Sequence, residues 1–326
     1  MPLRMINAKE VRRLLPMADC IDAMEHAMVA ASTGQVFIPP RMVMPLIDKS
    51  GFLGLMPGSA ADPKMYGAKI MGIHPGNPAK GLPLIQGFVV LFDHETGTPT
   101  VLMDGAEITG IRTAAASGLA TRVLAREDAS TCGIFGTGVQ AVTHISAMAA
   151  VRPVKKFIIW GRNPDKARAL MESVRGDYDA EFETTDDPAQ AAACDIVCTV
   201  TASPEPVING DWLNPGTHLN VVGSHTPTVR EADTETIRRS AVYVDLMESA
   251  RNEAGDILIP VQEGAIDWDH VRGEIGAVLA GSVPGRRSPE EITLYKSQGI
   301  TAQDLYAAEL VYRRALESGA GVEVDF

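Results

Sequence analysis

Apolar and polar positions repeat with two different periods along this chain, and the changes of period divide it. Between residues 8 and 33, Val11, Leu14, Leu15, Met17, Ile21, Met24, Met28 and Val29 recur at roughly helical spacing. Pro16 breaks this amphipathic stretch into two segments, because proline has no N–H to donate and its ring crowds the preceding turn. The stretch from Ile38 through Pro39, Pro40 and Arg41 to Met44 is extended. Gly51 to Met56, Tyr66 to Ile73 and Gly87 to Asp93 then read as strands of a mixed sheet. His94-Glu-Thr-Gly-Thr-Pro99 is a hairpin turn into Thr100 to Met103. From Asp104 the period is helical again, carried by Ile108, Ile111, Ala115, Leu119 and Val123 in an alanine-rich segment.

Beyond that helix, short apolar runs alternate with helical ones. Thr131 to Phe135 and Lys156 to Trp160 are strands flanking a helix at Val139 to Val151. Asp165 to Val174 and Pro188 to Ala193 are helices, and Glu181 to Thr184, Ile196 to Val200, His218 to Val222 and Ala241 to Asp245 are strands. Residues 250–295 read as short helices and loops, with Pro284-Gly-Arg-Arg exposed. Ala302 to Leu316 closes the chain as a helix, with Leu305, Ala308, Tyr312, Ala315 and Leu316 on one face. Alternation of this kind predicts an α/β fold: a Rossmann-type dinucleotide-binding domain over residues 121–301, preceded by an α+β domain over residues 1–120.

The chain's most specific local feature is Gly136-Thr137-Gly138-Val139-Gln140-Ala141, a G-x-G-x-x-A turn between a strand and a helix. In such a turn the first glycine allows the tight bend and the second lets the backbone approach a pyrophosphate. The alanine permits close helix–strand packing. The helix N-terminus presents free N–H groups and the positive end of its dipole to the phosphates. The following strand at Lys156 to Trp160 supplies the context that an isolated glycine pattern lacks.

An acidic residue after that second strand normally binds the adenine ribose 2′-hydroxyl of NAD. Here the strand runs into Gly161-Arg162-Asn163, with no carboxylate, and Arg162 suits a 2′-phosphate, although most loop arginines are simply solvated. NADP is therefore favoured over NAD. Thr201-Ala202-Ser203 and Val222-Gly223 follow later strands and complete, with Thr113, the candidate cofactor-lining set.

The net charge of −12 over 326 residues argues against nucleic acid or an anionic membrane surface as a general partner. No apolar run reaches the length of a membrane span, and the first residues lack the apolar core of a signal peptide. Cys20, Cys132, Cys194 and Cys198 have no zinc spacing and read as buried free thiols, so no metal site and a cytoplasmic location are expected.

Substrate chemistry must come from isolated polar residues. Lys69 lies on a strand among small and apolar neighbours. Spacing alone makes a solvent-facing lysine the plainer reading, but a desolvated one could hold a carboxylate or donate a proton. Arg112 stands in Gly-Ile-Arg-Thr-Ala-Ala-Ala-Ser-Gly, where small neighbours turn its head toward a cavity or an anion. Arg41 is a weaker candidate of the same kind. His225 follows a buried strand, at the sheet edge where doubly wound folds bind ligands, and is as readily structural as catalytic. His74 reads as a turn residue, and Ser203 has no evident base to make it a nucleophile.

Together these pieces resemble the ornithine cyclodeaminase/μ-crystallin family. The ordered series is Pro-Pro-Arg41, Leu-Met-Pro-Gly58, Gly-Ala-Lys69, Ile-Arg112-Thr-Ala-Ala-Ala-Ser, the glycine turn, Gly-Asp256-Ile and Gly-Ile-Thr-Ala-Gln-Asp304. The resemblance implies a homodimer whose first domain binds substrate and dimerises, with residues 302–326 returning to it. It also implies that Arg41, Lys69 and Arg112 hold the α-carboxylate of an amino or imino acid. Cyclodeaminases of the family carry an aspartate in Gly-x-Asp-x-Pro-Gly-Lys, which handles the substrate amines. This chain has Gly223-Ser-His225-Thr-Pro227-Thr instead. An imidazole cannot replace a fixed carboxylate as partner for an ammonium. The departure points to reduction of a preformed C=N bond, in a ketimine, Δ1-pyrroline-2-carboxylate or iminosuccinate, with Lys69 or His225 as proton source. The alternatives are a cyclodeaminase using NAD catalytically, an amino-acid dehydrogenase, and a μ-crystallin-like binding protein.

Overall fold

The computed structural model describes residues 2–325 and divides the chain into two compact units. The first comprises residues up to Arg112 together with those from Ile300 onward, and the second spans Thr113–Gly299.

The first unit begins with β1 (Leu3–Ile6), a strand absent from the periodicity reading because its four residues are too few to show a pattern. Helices α1 (Ala8–Leu14) and α2 (Met17–Ser32) flank Pro16 as expected. Asn7 caps α1 reciprocally with Glu10: each side chain bonds the other's backbone N–H. Strands β2 (Val36–Phe37), β3 (Met42–Pro45), β4 (Phe52–Ala61), β5 (Lys64–Ile73), β6 (Ile85–Phe92) and β7 (Pro99–Asp104) follow. Helix α3 (Gly105–Leu124) contains the division between units, which falls after Arg112 rather than after residue 120. A continuous helix gives no sequence signal of a boundary within it.

The second unit alternates strand and helix: β8 (Thr131–Phe135), α4 (Val139–Val151), β9 (Lys156–Trp160), α5 (Pro164–Val174), β10 (Glu181–Thr185), α6 (Pro188–Ala192), β11 (Ile196–Thr199) and β12 (His218–Val221). Then come α7 (Thr234–Arg239), β13 (Ser240–Val244), α8 (Met247–Glu253), α9 (Gly255–Gln262), β14 (Val271–Glu274), α10 (Ile275–Leu279) and β15 (Ile292–Lys296). The sheet order is β10-β9-β8-β11-β12-β15-β13-β14, and every pair is parallel. The chain therefore winds outward from β8 in one direction and returns to wind outward from β11 in the other. The gap between those two strands is the switch point of a doubly wound fold. At Gly133 of β8 an added Cβ would lie 1.9 Å from Ala191 O, so α6 packs on this strand at a distance only glycine allows.

Two expectations for residues 250–295 are corrected. Strand β15 is central, between β12 and β13, and all five of its residues are buried. Its polar Thr293 and Lys296 disguise it as a loop, whereas the fold pairs them internally. Arg286 is half-buried rather than exposed: its guanidinium donates to Leu124 O at 2.6 Å, to Thr293 Oγ1 at 3.0 Å and to Glu291 O.

The last segment, α11 (Thr301–Ser318) and β16 (Val322–Val324), belongs to the first unit. Its sheet runs β16-β1-β7-β6-β5-β4-β2, with β3 also on β4; only β1 and β7 pair in parallel. Helix α11 packs on α2 and across β4, β5 and β6, and Thr301 to Ala308 are all buried. Gly58 of β4 admits the start of α11, since a Cβ there would lie 3.0 Å from Thr301 Cγ2. All four cysteines are buried free thiols, and no helix among the described residues is long and apolar enough to cross a membrane.

Candidate functional site

In the first unit, β5 alternates regularly, and its buried face carries Met65, Gly67, Lys69 and Met71. The period of two therefore turns Lys69 toward α11 rather than toward solvent, and it is only 3% exposed. The solvent-facing reading is thereby overturned. Its ammonium lies 2.9 Å from Asp304 Oδ1 and 2.8 Å from Oδ2. Arg112, also buried, donates from Nε to Asp304 Oδ1 at 2.8 Å and from a terminal nitrogen to Gln303 Oε1 at 2.7 Å. The anion that Arg112 faces is thus a side chain of this unit.

The electrostatics follow from two cations sharing one carboxylate in a desolvated place. Burial pulls the Lys69 pKa down to about 8, with Arg112 and Arg41 adding repulsion and Asp304 opposing it. Burial works against the Asp304 charge, but Arg112 and Lys69 outweigh it and hold its pKa below the usual carboxylate range. The cluster keeps one positive charge in excess while Lys69 is protonated, and the half-buried Arg41 acts on it electrostatically. A small carboxylate is the ligand such a surplus favours. Asp304 and Gln303 are the residues that spacing missed. Their signal was a polar pair in the first turn of a helix that proves buried on every side there.

In the second unit the loops leaving the carboxyl ends of β8, β9, β11 and β12 share one sheet edge, because these strands are all parallel. That edge collects Gly136, Thr137 and Gly138, then Gly161 and Arg162, then Thr201, Ala202 and Ser203, then Val222, Gly223 and His225. Thr113 is not on an edge loop; it is buried on α3. Gly136 has φ of +129°, and a Cβ there would lie 2.8 Å from Val200 O, so the bend requires glycine twice over. At Gly138 the opposite holds: φ is −95°, and a Cβ would meet nothing within 4 Å. The space over Gly138 is open for a ligand backbone to enter.

No side chain caps the N-terminus of α4, although α5 and α7 are capped by Asn163 and Asp233. The first N–H groups of α4 are therefore available to an anion. Open space at the second glycine, a strained first glycine and an uncapped helix fit a dinucleotide pyrophosphate. Val139 and Gln140 begin that helix, with Val139 72% exposed. Arg162 is exposed just after β9, while its neighbour Asn163 is committed to capping α5. His225 is exposed on the loop after β12.

Behind this edge lies a group to which the sequence reading assigned no role, although Asp256 stands in the family series. Glu231, Asp256 and Lys296 are fully buried, and Lys296 Nζ lies 2.9 Å from Asp256 Oδ2. Burial pushes the Glu231 pKa up, as does nearby Asp256, while bonds from Thr201 and the Lys296 charge act the other way. Charged residues so deep give little periodic signal, because each falls where an apolar residue would be expected.

Comparison with known proteins covers the whole chain. It is 34% identical over 323 residues to the Δ1-pyrroline-2-carboxylate reductase of Bacillus cereus, spanning 98% of this chain and 99% of that protein. Identity to the alanine dehydrogenase of Archaeoglobus fulgidus is 33% over 322 residues, 98% of each. The solved structure of Thermococcus litoralis Δ1-pyrroline-2-carboxylate reductase, in complex with NADH and L-proline, superposes with a TM-score of 0.95 at 37% identity, covering 98% of this chain and all of that one. With a family profile matching residues 3–319, the chain belongs to the ornithine cyclodeaminase/mu-crystallin family.

Proposed function

We propose that the protein is an NAD(P)H-dependent reductase of small α-imino acids of the ketimine, Δ1-pyrroline-2-carboxylate or iminosuccinate type, yielding the L-amino acid. The observation that carries this reading is the full-length likeness to reductases of that chemistry. The buried cation surplus at Lys69 and Arg112 gives it a physical basis. Arg41, Lys69 and Arg112 would hold the α-carboxylate, so that binding energy orients the C=N bond. A bound NADH or NADPH would supply the hydride to the imine carbon. Lys69, with its pKa pulled down to about 8, or His225 would hold the proton that makes the imine a better acceptor. The edge loops carrying Gly136 to Gly138, Gly161, Arg162, Thr201 to Ser203, Val222 and Gly223 would receive the dinucleotide. Residues 1–112 with the closing segment would be the substrate and dimerisation domain, and residues 113–299 the dinucleotide-binding domain.

We also propose a homodimer and a cytoplasmic location. Met42, Val43 and Met44 of β3 are 59%, 53% and 46% exposed, so both faces of that strand are bare. Ile47, Phe52 and Leu53 extend the apolar surface. A contiguous apolar patch of this kind is the usual mark of an interface. Four unpaired thiols suit a reducing compartment.

The test is NADH and NADPH oxidation against Δ1-pyrroline-2-carboxylate, Δ1-piperideine-2-carboxylate, and pyruvate or oxaloacetate with ammonia. Turnover of a preformed cyclic imine without added ammonia supports the reading. The alanine dehydrogenase likeness favours one second reading, in which turnover occurs only with a keto acid and free ammonia. Ammonia release from ornithine with no net change in the nucleotide would replace both with cyclodeamination.

A further inference from the structure

We infer that Glu231 is a positioning residue for the cofactor: one buried carboxylate fastens together the edge loops that follow β11 and β12. The inference rests on the cofactor reading above. Glu231 lies between β12 and α7, is 0% exposed, and takes no part in the glycine turn. Its Oε1 accepts from Thr201 N at 2.7 Å and Thr201 Oγ1 at 2.6 Å. Its Oε2 accepts from Thr199 Oγ1 at 2.9 Å and Gly223 N at 2.6 Å. Thr199 is the last residue of β11, Thr201 lies on the loop that follows it, and Gly223 lies on the loop after β12.

Two of the four partners, Thr201 N and Gly223 N, are obligate donors, one on each carboxyl oxygen, and the two threonine hydroxyls complete the set. The contact is also sterically closed. A Cβ on Gly223 would lie 2.0 Å from Thr201 O and 2.7 Å from the Glu231 carboxyl group. Thr201 Oγ1 passes the restraint on by accepting from Ser203 N at 3.1 Å.

Glu231 is itself held from behind. Asp256 Oδ1 accepts from Glu231 N at 2.8 Å and Ala232 N at 2.9 Å. Asp256 Oδ2 accepts from Ser224 Oγ at 2.6 Å, and Lys296 donates to Ser224 O at 2.6 Å. The chain thus runs from β15 through Lys296, Asp256 and Glu231 to both loops; the links among these three residues are buried, and those to Thr201 and Gly223 are partly buried. Burying two carboxylates with one ammonium is a costly way to stabilise a core. It is an effective way to fix backbone at two neighbouring edge loops.

The test measures NADH and NADPH affinity by nucleotide fluorescence, alongside the melting temperature of the ligand-free protein. Glu231→Gln turns an amide NH₂ against two donors and should raise the cofactor Kd about tenfold, the equivalent of roughly one hydrogen bond to a charge. The KM for the imino acid at saturating cofactor should stay unchanged. Thr199→Val keeps the side-chain shape, removes one donor and should raise the cofactor Kd in the same direction by less; Thr199→Ser should restore it. These two variants decide the matter if Glu231→Gln does not fold. A merely structural role would lower the melting temperature and leave the folded protein's Kd unchanged, which would overturn the proposal. A wild-type protein that binds neither nucleotide would instead remove the cofactor reading, and the inference with it.

Discussion

Lys69 and Asp304, 235 positions apart in the sequence, meet at 2.8 Å with both side chains buried, and Arg112 closes on the same carboxylate. Removing that carboxylate's charge leaves two buried cations facing each other. Asp304→Asn should therefore cost about 3–5 kcal/mol, as expected when one partner of a buried ion pair is lost. Urea unfolding of the variant and the wild type measures it. A loss near zero would mean that the cluster is solvated and does not tie α11 to β5.

The cluster also sets a pH dependence. With its pKa at about 8, Lys69 is charged below that value and neutral above it. Affinity for a small ring carboxylate without a titrating nitrogen, such as cyclopentanecarboxylate, should therefore fall as pH rises through about 8. Stability follows the opposite sign. Between about 8 and the ordinary 10.5 the unfolded chain keeps the Lys69 proton that the folded chain has lost, so Lys69's share of stability rises with pH there. Inhibition constants across this range, in wild type and Lys69→Met, separate the lysine from other groups. A flat profile in wild type would remove Lys69 from the carboxylate site.

The two glycines of the turn should respond differently to the same change. Gly136→Ala places a methyl group against Val200 O at a φ of +129° and should destabilise the unit by about 1–3 kcal/mol. Gly138→Ala meets nothing in the protein and should leave the ligand-free melting temperature unchanged. It should nonetheless raise the nucleotide Kd, because the methyl group occupies the space a pyrophosphate would cross. Equal nucleotide affinity in Gly138→Ala and wild type would place the phosphates elsewhere.

Arg162 stands where a 2′-phosphate contact is expected. Arg162→Ser should lower kcat/KM for NADPH about tenfold, as loss of a charge-assisted contact does, with little effect for NADH. Steady-state kinetics with both nucleotides decides it. Equal losses for the two would make Arg162 a general rather than a discriminating contact.

The apolar surface of β3 gives a test of assembly. Val43→Asp places a charge on a residue that is 53% exposed, so the fold should tolerate it. Sedimentation should show a shift toward monomer at micromolar concentration. An unchanged dimer would move the interface to another face, and a monomeric wild type would remove the dimer.

The local pattern of this chain was decided by the sequence alone. Pro16 divides the first helices, Gly136 to Ala141 announces the bend after β8, and the short apolar runs of β9 and β11, set between turn and helix signals, read as buried strands. These signals are legible because backbone geometry and burial act on neighbouring residues. Tertiary structure decided what long separations bring together. Lys69 reads as an exposed strand residue until α11 covers that face of β5 and supplies Asp304. β15 reads as a loop until Lys296 finds Asp256 in the core. Glu231 gives no signal at all until two loops from different strands donate to it. A charge carries no periodicity of its own. Whether it faces water or is buried depends on a partner that only the folded chain brings within reach.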